Sequence, residues 1–128
     1  MMGKRKKSYS CGLDAALAII GGKWKFFILW AVSDGPKRFG ELRRKVAGIS
    51  EKMLIQELKE MEQDGLVLRK DYKEVPPRVD YTLSPFGAEL FEAVEPLSAW
   101  GARHIERIGG LPSQADGKRS CLRNTAVL

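Results

Sequence analysis

Little in this 128-residue chain is suited to covalent or metal chemistry. It has two cysteines, Cys11 and Cys121, and a single histidine, His104. The cysteines have no C-x-x-C spacing, so neither a zinc site nor a disulfide framework is expected. His104 has no companion nucleophile or metal-ligand spacing and falls on a helical seam, where packing is its expected role. The chain is therefore not expected to be an enzyme, and no cofactor or metal is expected. Long apolar runs are missing too. None approaches the ~20 residues needed to span a bilayer, and the N-terminus lacks the apolar stretch of a signal peptide. A cytoplasmic protein without a membrane partner is the expectation. No internal repeat is visible.

What the chain does have is cationic charge: 22 Lys and Arg against 16 Asp and Glu, a formal net of +6. That balance is compatible with a polyanionic partner without requiring one. The length suits one domain with one core. The expected organisation is a basic flexible arm over 1–10, a folded domain over 11–108 and a flexible tail over 109–128.

The most informative stretch is 49–65. Ser50 is suited to cap a helix, Glu51 sits where the helix dipole favours an acid, and Gly65 is suited to end it. Leu54, Leu58 and Met61 recur at i, i+4, i+7 and form one buried stripe. At about 100° per residue the opposite face carries Lys52, Gln56, Lys59 and Gln63. Although the segment is acidic as a whole, this outward face is cationic and amide-rich, a chemistry that reads base edges in a major groove. By itself such a helix is equally an ordinary amphipathic surface helix. Its neighbours decide between the two.

Before it, Phe39–Val46 reads as a helix with Phe39, Leu42 and Val46 inward. Residues 36–48 hold Lys37, Arg38, Arg43, Arg44 and Lys45 against one acid, Glu41. A basic helix, a glycine-containing turn at 47–49 and a capped helix form the helix-turn-helix layout. In it the first helix lies along phosphates and the second enters the groove. After it, Leu66–Tyr72 and Arg78–Leu83 read as strands around the Pro76-Pro77 loop, the second by strict alternation. That hairpin is a wing whose Lys70, Lys73 and Arg78 are candidates to reach DNA, or else a structural ribbon.

Flanking helices complete the pattern. Leu13–Ile20 reads as a short helix, broken by Gly21-Gly22. Trp24–Val32 follows, apolar nearly all round, and so covered on more than one side. It is either a subunit interface as well as core, or a central helix wrapped by the rest of the chain. Ser84-Pro85 opens a last helix, with a capping hydroxyl followed by proline at the first helical position. Leu90, Val94, Leu97, Gly101, His104 and Ile108 step along it by 4, 3, 4, 3, 4, a coiled-coil-like seam. Four acids outweigh two arginines there, so the helix belongs away from DNA, as a packing or dimer element. Pro96 removes one helical amide, and a kink is expected there.

The series Gly21-Gly22-Lys23-Trp24, Arg38-Phe39-Gly40-Glu41-Leu42-Arg43-Arg44, Gly48-Ile49-Ser50-x-Lys52-Met53-Leu54, Leu58-x-x-Met61-x-x-Asp64-Gly65-Leu66-Val67 and Val75-Pro76-Pro77-Arg78-Val79-Asp80-Tyr81 resembles the HxlR-type family. Leu83-Ser84-Pro85-x-Gly87 continues the match. These are bacterial winged helix-turn-helix transcription regulators, MarR-like in architecture. The resemblance runs in unbroken order over roughly residues 11–101. It implies a mainly α fold with a small β-hairpin and a homodimer formed by the N- and C-terminal helices. It also implies that the 50–63 helix binds an operator in double-stranded DNA.

On this reading Ser50, Lys52, Met53, Ile55, Gln56 and Lys59 are the base-reading candidates. Arg38, Arg43, Arg44 and Lys45 are the phosphate candidates. Relatives often carry Thr at the position of Ile55 and a neutral or basic residue at that of Glu57, departures that bear on the operator sequence. Cys11 matches a position where many members carry Cys, some as a sensor of oxidants or electrophiles. A thiol at a helix N-terminus beside Lys4, Arg5, Lys6 and Lys7 has its thiolate favoured, and the alternative is a small residue packed at the dimer contact. A small-molecule or oxidant effector is left open, with a dimer groove beside Trp24, Trp30 and Trp100 as one place for it. The rival from another class is a winged-helix module that docks on proteins, since fold does not settle function.

Overall fold

The helix Trp24–Val32 is the axis about which the rest is arranged. Ile28, Leu29, Ala31 and Val32 on it are essentially without solvent exposure, and its aromatic residues Trp24, Phe26, Phe27 and Trp30 are half-buried. Within one chain it is thus a central helix wrapped by the rest of the fold. The computed structural model describes residues 8–110. The basic arm expected at 1–10 falls mostly outside these residues and the tail expected at 109–128 almost wholly, with Cys121 and Lys4–Lys7 among them.

The elements in chain order are α1 (Gly12–Ile20), α2 (Trp24–Val32), β1 (Lys37–Arg38), α3 (Phe39–Lys45), α4 (Glu51–Gln63), β2 (Val67–Asp71), β3 (Val79–Leu83) and α5 (Pro85–Arg107). α1 and α2 meet at an 81° bend over Gly21-Gly22. Among the described residues no single helix is long and apolar enough to cross a membrane. α5 runs without a break through Pro96.

The hairpin is as expected, β2 antiparallel to β3 with Val67 opposite Leu83 and Asp71 opposite Val79. The sheet, however, has a third strand: β1 pairs with the other edge of β3, setting Lys37 opposite Tyr81 and Arg38 opposite Asp80. Two residues are too few to show a period, which is why β1 is invisible in the sequence. With a strand on either side, β3 is central, and its most buried residue is Asp80 rather than one of the alternating apolar positions. The carboxylate is enclosed by polar neighbours described below.

The core joins α2 to Leu42 and Val46 of the α3 region, Ile49, the stripe Leu54, Leu58 and Met61 of α4, and Leu66 and Val67 leading into β2. α4 ends as its sequence suggests. Gly65 takes φ +77°, and the N–H of Leu66 donates to Met61 O at 2.9 Å while that of Gly65 donates to Glu62 O at 3.0 Å. This is the Schellman arrangement, with buried Leu66 closing over buried Met61. α5 begins where the Ser84 hydroxyl accepts from the Gly87 N–H at 2.9 Å and donates to the carbonyl of Gly65 or Leu66. That one side chain pins the start of the last helix to the residues that follow α4.

α1 and α5 contribute least to this core. α1 has no fully buried residue and α5 only Gly87 and Ala99. Leu13 and Leu17 on α1, and Phe86, Leu97, Trp100 and Ile108 on or at the end of α5, are all more than half exposed.

Candidate nucleic-acid interface

α4 presents its outward face because three of its residues, Leu54, Leu58 and Met61, are held on the core side. Ser50 accepts from the Met53 N–H at 3.0 Å, so its hydroxyl serves as the helix cap while remaining at the surface. Lys52 and Lys59 are exposed, Ile55 is 48% exposed, and Met53 and Gln56 are half-buried. Lys52, Ile55, Gln56 and Lys59 thus stand on the side away from the stripe, at spacings that bring them together along one helical surface.

The phosphate candidates divide into two groups. Arg43 and Arg44 in the last turn of α3 are exposed, and Arg43 Nη1 lies 3.7 Å from Glu51 Oε1, which puts it at the N-terminus of α4. Arg38 is also exposed, but its Nε lies 3.9 Å from Asp80 Oδ1. Lys45 is drawn back toward α2: its Nζ stands 5.3 Å from the centre of the Trp30 ring and 3.8 Å from Asp34 Oδ2.

The wing candidates divide similarly. Lys73 is exposed at the loop with φ +55°, its N–H donating to Asp71 Oδ1 at 2.8 Å. Lys70 Nζ lies 4.7 Å over the Tyr72 ring, and the Arg78 guanidinium 4.2 Å over the same ring. Arg78 Nη2 and the Tyr72 hydroxyl both donate to Asp80 Oδ2, at 3.3 and 3.1 Å. The hydrogen bond to Asp80 holds the Arg78 pKa above its ordinary value. Arg38, from the edge strand β1, and Arg78, just ahead of the central strand β3, therefore converge on a single buried carboxylate.

Asp80 is one residue that pattern reading missed, because alternation alone assigns it to the solvent side. Lys25 is another. It is the one charged position in the otherwise apolar run Trp24–Val32, which was the available signal. It is 6% exposed and reaches α4, with Nζ 2.5 Å from Glu60 Oε1 and 2.9 Å from Glu57 Oε1. The Glu60 contact is a hydrogen bond, whereas Glu57 Oε1 pairs with the ammonium off the hydrogen-bond direction. Burial works against the Lys25 charge, but the Glu60 and Glu57 contacts outweigh it and hold its pKa above the usual lysine value. Glu57, a departure from the family pattern, is thus turned toward α2 and away from the outward face. Glu60, expected at the edge of that face, is held on the same side.

Cys11 is the N-cap residue of α1 and is exposed. The backbone N–H groups of Asp14 and then Leu13, with the Ser10 hydroxyl, lower its thiol pKa from 9.0, although no capping hydrogen bond is closed. The groove expected beside Trp24, Trp30 and Trp100 is one between two subunits; within one chain Trp24 and Trp30 are half-buried. Trp100 is exposed and stacks on His104 at 5.6 Å. An open apolar groove of about 320 Å³ lies instead between α1 and α5, lined by Ala15, Ala16, Ile19, Phe86, Leu90 and their neighbours.

Residues 19–109 match the model of the HxlR-like helix-turn-helix family. The chain belongs to that family. Its relatives include the HTH-type transcriptional regulator YtcD of Bacillus subtilis, 47% identical over 82% of this chain and 83% of YtcD. Among solved structures, the redox regulator HypR in its reduced form aligns with a TM-score of 0.72 at 38% identity. It covers 77% of this chain and 98% of HypR. The reduced form of the transcriptional regulator YodB from B. subtilis aligns with a TM-score of 0.68 at 36% identity, over 76% of this chain and 96% of YodB. This member of the HxlR-like family is accordingly a transcriptional regulator with a winged helix-turn-helix fold, mostly helical with a small three-stranded sheet.

Proposed function

We propose that this HxlR-like regulator works in the cytoplasm as a homodimer that reads a pseudo-palindromic operator with two copies of α4. The observation that carries the reading is the outward surface of α4, with exposed Lys52 and Lys59 flanking Gln56 and Ile55, exposed Arg43 beside the helix N-terminus and exposed Arg44 next to it in the last turn of α3. Lys52 and Gln56 offer donors for base edges, Ile55 an apolar contact for a thymine methyl, and the arginines charge for phosphates. Ser50 and Met53 border that surface at its start, and Lys59 extends it toward the backbone. Arg38, Lys45, Lys70, Lys73 and Arg78 supply a second tier, of which Lys73 is the most freely presented. In a two-fold dimer the two helices enter successive major grooves about 34–36 Å apart.

The exposed apolar side chains on α1 and α5 support self-association. Full burial of a side chain of this kind is worth about 1.5–3 kcal/mol. Six such residues on two helices, alongside a core that barely uses those helices, favour a second copy as their cover. The exposed Cys11, with its lowered pKa, supports a response to oxidants or electrophiles at the start of α1, and HypR, a redox regulator, shares the fold.

The test is binding to an operator obtained by selection with the protein itself, compared with random duplex. Gln56→Ala should weaken operator binding by roughly 1–3 kcal/mol and leave random duplex nearly unaffected. Equal loss on both would reject base reading by Gln56.

A further inference from the structure

Lys25 does not face the outward surface, yet it touches the helix that carries it at two points. Glu57 and Glu60 are three residues apart, so they lie on neighbouring rows of α4 along one flank. Glu57 is closer to the buried stripe. Glu60, about 40° from Gln56 around the helix, is closer to the outward face. Their side chains are only 13% and 14% exposed, because both are turned onto the Lys25 ammonium. Met53, half-buried, borders the same flank.

A duplex lying along the outward face of α4 would pass close to this flank. Two carboxylates swung outward there would oppose the phosphates, since like charges within a Debye length of about 8–10 Å are not screened away. The side chain that draws them inward comes from the middle of the core, on a different helix.

We propose that Lys25 is the positioning residue of the DNA-reading helix, holding Glu57 and Glu60 on the core side of α4 and away from the phosphates. The inference rests on the DNA-binding reading above and deepens it. Lys25 itself makes no contact with DNA. Its ammonium fixes the rotation of α4 about its own axis and masks two negative charges beside the interface.

The experiment measures binding to the selected operator and to a random 30-base-pair duplex at low and high salt, under conditions where circular dichroism shows each variant folded. Wild-type protein that fails to bind either duplex would overturn the DNA-binding reading, and the inference with it. With wild-type binding in hand, Lys25→Met should lose about tenfold in affinity on random duplex at low salt, a loss that shrinks as salt rises. The triple variant Lys25→Met, Glu57→Gln, Glu60→Gln should recover random-duplex affinity to within about threefold of wild type. A role confined to stability would change the melting midpoint and leave the affinity of the folded protein, and its salt dependence, as in wild type.

Should Lys25→Met not fold, the triple variant still decides, because it leaves no unpaired buried charge. Restoring Glu60 alone to it should weaken duplex binding severalfold, and restoring Glu57 alone should weaken it less. Wild-type affinity in folded Lys25→Met, or no effect of restoring Glu60, would overturn the proposal while leaving the DNA-binding reading intact.

Discussion

Gly87→Ala should destabilise this fold, although helices ordinarily favour alanine over glycine by up to about 1 kcal/mol. Gly87 lies in the first turn of α5, against Leu66 just past the end of α4. A Cβ there would stand 2.1 Å from the Leu66 carbonyl oxygen, 3.0 Å from its carbon and 2.9 Å from Leu83 Cδ1. Leu83 can turn aside. The Leu66 carbonyl cannot, because it accepts from the Ser84 N–H at 3.0 Å and from the Ser84 hydroxyl, and Leu66 also closes the C-terminal cap of α4. Relief therefore requires α5 to move away from Leu66, breaking the Ser84 bonds or opening the core. Overpacking of this kind costs about 1–3 kcal/mol, and more where backbone is the obstacle. After the helix-propensity gain is subtracted, a net loss of about 2 kcal/mol is expected.

Urea unfolding at fixed protomer concentration measures it, because association would otherwise shift the midpoint. With a slope of about 2 kcal/mol/M for a chain of this size, the midpoint should fall by about 1 M. An unchanged or raised midpoint would refute the claim that α5 is seated on Leu66 by backbone contact.

Gly101→Ala, further along the same helix, should act oppositely on the single chain: an added Cβ meets nothing within 4 Å, so monomer stability should rise by about 0.5–1 kcal/mol. Gly101 also lies on the α5 seam, so the same change should weaken self-association in sedimentation equilibrium, and unaltered association would remove this stretch of the seam from the interface. Cys11 should alkylate with iodoacetamide along a pH profile whose midpoint lies below that of a free cysteine thiol, about 8.5, since its pKa is lowered and the thiolate fraction rises at lower pH. A midpoint at or above that of a free cysteine measured alongside would remove the basis for treating it as an activated thiol.

Much of this architecture was legible because it rests on short-range rules. The cap at Ser50, the stripe Leu54–Leu58–Met61, the end at Gly65 and the Ser84-Pro85 start are each set by neighbours within a turn, and the structure has all four. What escaped depends on partners distant in sequence. β1 exists only because β3 is alongside it. Asp80 is buried between β1 and β2, with Arg38 more than 40 residues away joining Tyr72 and Arg78 around it, so a residue that alternation assigns to solvent becomes the polar hub of the wing. Glu57 and Glu60 are turned inward by Lys25, more than 30 residues earlier in the chain. The candidate site shows the same division. The outward positions of α4 follow from periodicity, whereas the retreat of Lys45 onto Trp30 and of Arg78 onto Tyr72 is a tertiary event that no local pattern records.

The salt dependence of duplex binding tests most directly the claim that α4 and its arginine flank meet DNA. Arg43, Arg44 and Lys59 from each of two protomers would neutralise about six phosphates, giving a slope of log K against log salt near −5. A steep slope, reduced by about two when Arg44→Gln removes one contact from each protomer, is the expected result. An affinity for duplex that stays flat across the titration, or a slope that Arg44→Gln leaves unchanged, would contradict it.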